Sequence, residues 1–114
     1  MPEAQVMQFF LLLAGLEVPE PWEGLVQAAI SAAGREMRPG AEPRDLRLCR
    51  YAAACANLQY RRMCAARGNR QGYAGKTNSA SGDDPCAVAE ALMRQYRKEA
   101  ADLLTDDSFY FSCI

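Results

Sequence analysis

Apolar and polar positions alternate along this chain with the period of helices. Residues 6–16, VMQFFLLLAGL, form the longest apolar run. Pro2 suits an opening helical turn, Glu3 complements the dipole there and Gly15 can end it, so the pattern predicts a first helix over 2–14. LEVPEP then breaks the chain. In the second segment Trp22, Leu25, Val26, Ala29, Ile30 and Ala33 recur at steps of three and four, which predicts an amphipathic helix over 21–33 with Gly34 as its stop. A third and longest helix is expected over 43–67, with Asp45 in its first turn and Arg67 in its last. Its centre, YAAACA, is apolar nearly all round, so this helix should be covered on more than one side and lie centrally.

Residues 68–83, GNRQGYAGKTNSASGD, read as a flexible linker by composition. The fourth helix opens on DDPC, where Asp84 can cap and Pro85 takes the first helical position. Val88, Leu92, Tyr96, Ala100 and Leu103 make its stripe, to about Leu104. Glu90–Arg94 and Lys98–Asp102 are spaced for surface ion pairs. The expected architecture is a single all-α domain over 1–114, a compact four-helix bundle with a long central helix and an extended aromatic C-terminal tail over 105–114.

That tail ends in LLTDDSFYFSCI. In an extended strand Phe109 and Phe111 share a face with Cys113, and Tyr110 points the other way. It either folds back over its own bundle or packs on another molecule.

Composition narrows the chemistry. The 114 residues suit one domain, 50% hydrophobic and 24% charged, as in ordinary globular proteins. The net charge of -1 hides an uneven distribution. Residues 1–34 hold Glu3, Glu17, Glu20 and Glu23 and no base, residues 35–76 are strongly basic, and residues 77–114 are acidic again. Such a middle segment fits nucleic-acid binding, head-to-tail pairing between copies, or acidic helices lying beside a basic one within the fold. On the third helix Arg47, Arg50, Asn57 and Arg61 form one polar row, with Ala54 filling its gap. This row and Phe109, Tyr110 and Phe111 are the candidate interface residues.

No reactive constellation emerges. There is no histidine, the commonest general base, and the 5 cysteines include no CxxC pair. Cys49, Cys55 and Cys64 sit among alanines, where cysteine acts as a small hydrophobe, so free thiols in a reducing cytoplasm are expected. Gly75-Lys76-Thr77 matches the end of a phosphate loop, but Arg70 stands where that motif needs glycine. Asp83–Asp84 and Asp106–Asp107 read as caps and turn formers. No catalytic, cofactor or metal residue is assigned, and no enzyme activity is expected. The apolar run over 6–16 is too short to span a bilayer, and Glu3 is the only charge before it, so neither a membrane segment nor a signal peptide is expected.

The order of segments resembles a known family. A short apolar helix and an amphipathic one precede the alanine-rich RLCRYAAACANLQYRRMCAARG. A polar Gly/Ser loop follows, and then AEALMRQYRKEAADLLTDDSFYF, a helix ending in a leucine pair, acids and aromatics. This resembles the small α-helical head–tail connector (adaptor) proteins of tailed phages and prophages of Gram-positive bacteria, over most of the chain. The resemblance implies a structural protein, cytoplasmic in its bacterial host and then part of the virion. Its partners would be further copies of itself in a ring oligomer, the portal and the tail-completion proteins. It implies no catalytic residue and no cofactor. DNA contact would be unspecific, and here no lysine cluster marks a DNA-lining face. The alternative from the residues alone is a small cytoplasmic DNA-binding regulator using the third helix.

Overall fold

The computed structural model describes residues 1–71 and 84–105, with side chains to Arg67 in the first stretch. Among the described residues the chain is all-α, with four α-helices and no strand: α1 (Glu3–Ala14), α2 (Glu23–Arg35), α3 (Leu46–Gln71) and α4 (Pro85–Glu99). Three-residue 3-10 turns, Glu20–Trp22 and Ala101–Leu103, lead into α2 and out of α4.

The ends obey local chemistry. Gly15 takes a left-handed φ of 72° and its N–H donates to Leu11 O, as does that of Leu16, which closes α1. Pro21 belongs to the 3-10 turn, so α2 starts two residues later than expected, and it continues through Gly34 to Arg35. The third helix also starts later, because Asp45 precedes it rather than sitting in its first turn. Its Oδ1 accepts the Arg47 backbone N–H at 2.9 Å, and its carbonyl accepts from Leu48 and Cys49. At its other end α3 runs on to Gln71, into the segment read as a linker. Asp84 caps α4 as its sequence suggests, accepting from the Cys86 N–H at 3.1 Å.

The expectation for α3 holds. It packs against α1, α2 and α4, and α1 also packs against α2. Cys49, Ala52, Ala53, Ala54 and Ala56 are wholly buried along it. Bulk comes from its own Leu48 and Tyr51 and from its neighbours, chiefly Val6 and Phe10 of α1 and Val26 of α2. Phe10, Trp22 and Tyr60 meet edge to face at centroid distances of 5.1–6.4 Å, which joins α1, the first 3-10 turn and α3.

Two details of α4 differ from the sequence reading. Val88 is 45% exposed, and its neighbour Ala89, 1% exposed, enters the core instead. The α-helix also stops at Glu99, so the lysine–aspartate pair of one continuous helix is replaced. Asp102 instead accepts from Arg47 of α3 at 2.9 Å, while Glu90–Arg94 pairs as expected at 2.8 Å. Beyond the second 3-10 turn, Leu104 lies antiparallel to Met37. Arg38 N–H donates to Leu103 O at 2.8 Å and Thr105 N–H to Glu36 O at 2.7 Å. No helix among the described residues is long and apolar enough to cross a membrane.

The register of α4 is testable by urea denaturation. Ala89→Leu should overpack the α3–α4 contact and cost about 1–3 kcal/mol, whereas Val88→Ala should stay within about 0.5 kcal/mol of the parent.

Candidate interaction surface

The basic row of α3 is largely occupied inside the fold. Arg47 grips Asp45 (Nη2–Oδ2, 3.1 Å) and reaches Asp102 and the Glu99 carbonyl. The adjacent Arg47 guanidinium holds the Asp45 carboxyl below its usual range, through hydrogen bonds first. Arg61 donates to the carbonyls of Leu13 and Ala14 at 3.3 Å, at the negative end of the α1 dipole, and its guanidinium lies 5.4 Å from the Tyr60 ring centroid. Asn57 is not a surface residue. It is 2% exposed, and its Oδ1 finds no donor among the described residues. Polarity alone points an asparagine outward, but α3 is enclosed at that level, and Asn57 is buried. Arg50 alone of the four is exposed, its guanidinium 5.5 Å from the Phe9 ring centroid. Phe109, Tyr110 and Phe111 lie outside the described residues.

A polar tie joins the three elements at the other side of α3. The Tyr51 hydroxyl donates to Glu36 Oε2 at 2.8 Å. Arg97 donates to that hydroxyl at 2.9 Å and to Glu36 Oε1, its guanidinium 5.7 Å from the Tyr51 ring centroid. Burial is the largest single influence and works against the Arg97 charge, but the hydrogen bonds and charge interactions of Glu36 and Tyr51 together outweigh it, and the Arg97 pKa is raised. Burial pushes the Tyr51 hydroxyl well above its ordinary range and the Cys55 thiol up to about 11. Cys55 therefore stays protonated at neutral pH, an inert thiol within a structural tie.

Among the described residues, a groove open to other molecules lies between α1, α3 and α4. Phe9, Leu12, Leu13, Arg50 and Tyr96 line this groove of about 260 Å³. Leu12 is 78% exposed. The groove is apolar with one guanidinium at its rim, which suits an apolar segment carrying an acid rather than a reaction. Sequence reasoning selected Arg50 and missed the other four residues. A signal was present: Leu11, Leu12 and Leu13 are successive, so at 100° per residue they cannot all face one core.

Compared with models of known families, with curated proteins and with solved structures, the chain matches none.

Two measurements bear on these side chains. The folded state holds the Cys55 proton from an ordinary value of 9.0 up to about 11. Its contribution is therefore complete below pH 9.0 and lost as pH rises toward about 11, because the unfolded chain ionises first. Urea midpoints should fall over that window, and Cys55→Ala should remove about 2 kcal/mol of the fall. Asn57→Ala should leave stability unchanged or raise it by about 1 kcal/mol, since it removes an orphaned acceptor and improves helix propensity. A loss above about 1 kcal/mol would show that the amide is well bonded.

Proposed function

We propose that this chain is a structural assembly protein of a tailed-phage or prophage particle. It is a head–tail connector that joins portal to tail as a ring of identical copies, cytoplasmic in its host until built into the virion. It offers packed helical surface and catalyses no reaction. The observation that carries the assembly role is the groove with Leu12 at its lip. A leucine 78% exposed beside Phe9, Leu13 and Tyr96 is a ready docking patch. The phage setting is supported by the order of segments described above. The DNA-regulator alternative draws less support, because Arg47 and Arg61 already have acceptors within the chain.

Sedimentation across protein concentration tests the reading. The parent should form a discrete higher-mass species, and Leu12→Asp should abolish it while costing the fold no more than about 1 kcal/mol. A parent chain that stays monomeric up to millimolar concentration, alone and with portal rings, would overturn it. A DNA gel shift whose affinity falls steeply with salt would favour the regulator instead.

A further inference from the structure

The groove between α1, α3 and α4 selects its occupant by two demands. Its floor, Phe9, Leu12, Leu13 and Tyr96, is apolar and aromatic, and Arg50 stands at its rim. Arg50 lies over the Phe9 ring and has no carboxylate partner among the described residues. An occupant that fits must bring an exposed apolar side chain with an unpaired acid beside it.

Among the described residues the chain offers that pair in one place. Besides Leu12, the large apolar side chains left exposed are Val18, Leu46, Met63 and Val88. Leu46 follows Asp45, which is already held by Arg47. Met63 follows Arg61 and Arg62, whose charge would repel Arg50. Near Val88, Asp84 is spent on capping its helix and Glu90 on Arg94. Val18 is different. It is 55% exposed, and Glu17 and Glu20 flank it, both exposed and without an ion pair or hydrogen bond among the described residues. No base occurs anywhere in residues 1–34 to weaken that field.

The turn that carries Val18 is also set in advance. Leu16 N–H donates to Leu11 O and Trp22 N–H to Pro19 O, each at 2.9 Å, so it is tied at both ends. Pro19 and Pro21 restrict its backbone further. A turn ordered before contact loses little freedom on docking. It does not fill the groove of its own chain, because Val18 stands exposed there.

We propose that residues 16–20 of a second copy fill this groove, with Val18 on the apolar floor and Glu17 and Glu20 toward Arg50. The donor turn and the acceptor groove are different surfaces, so each copy can give one contact and receive another, as a closed ring requires. The contact deepens the assembly reading above, and its part in a ring rests on that reading.

Complementation by sedimentation tests it on the full chain. Val18→Asp spoils the turn and keeps the groove; Leu12→Asp spoils the groove and keeps the turn. Each alone should stay monomeric where the parent assembles, and the equimolar mixture should form a 1:1 complex. That complex also shows that both variants fold, since each must supply its intact half. Arg50→Glu should weaken assembly about tenfold, and adding Glu17→Arg with Glu20→Arg should restore it. Val18→Asp assembling like the parent, or no complex in the mixture, would overturn the contact and leave the connector reading standing. A parent that is monomeric alone and binds portal rings through Leu12 would do the same. A parent that stops at a dimer dependent on Val18 and Arg50 would keep the contact and remove the ring.

Discussion

The structure depends on the thinness of α3 through its middle. Four alanines and Cys49 are wholly buried there, so neighbouring helices approach close to its backbone. A helix this lean cannot fill a core by itself. Leu48 and Tyr51 of α3 supply part of the volume, and the rest comes from outside, from Val6 and Phe10 of α1 and Val26 of α2. Close packing of this kind makes a small domain cohere through many dispersion contacts, each of them weak.

Small side chains settle distance, and polar ties settle angle. Arg97 of the acidic last segment meets Glu36 of the basic middle one, with Tyr51 hydrogen-bonded to both. Arg47 of α3 holds Asp102, and Arg61 lies against the carbonyl end of α1. Of these ties, Arg47–Asp102 joins a base of the basic middle segment to an acid of the acidic last one. The ion-paired side chains remain 25–70% exposed, so solvent screens each pair and its contribution to stability is small. Their value is geometric: they fix how α4 and the chain beyond it lie on α3, and hence where Thr105 emerges.

Much of this fold was legible because it was local. Gly15 ends α1 through a conformation that glycine tolerates, Asp84 caps α4, and the α2 stripe packs as its spacing requires. What escaped depends on rotation about helix axes and on partners distant in sequence. Asn57 looks like a surface residue until neighbouring helices enclose it. Asp102 looks like the partner of Lys98 until the α-helix stops at Glu99. Arg47 and Arg61 look like a free cationic row, but their acceptors sit 47–55 residues away or, for Asp45, in the cap of the same helix. Of the groove, only Arg50 was selected, for its charge, while the apolar residues around it come from two other helices.

That groove follows from the number of faces α1 must cover. Successive leucines at 100° spread around most of a helix. α1 packs against α2 and α3, and those two contacts can bury two faces. α4 packs on α3 as well, and Tyr96 and Arg50 form the far wall of the space left beside Leu12 and Leu13. Three leucines in series are more than a two-sided helix needs for its own fold. Replacing Leu12 with a polar residue would relieve the exposure without loosening the core, since its side chain contributes little to it. A chain that keeps leucine there retains apolar surface that its described core does not use, and the physical demand of that surface is for something to cover it.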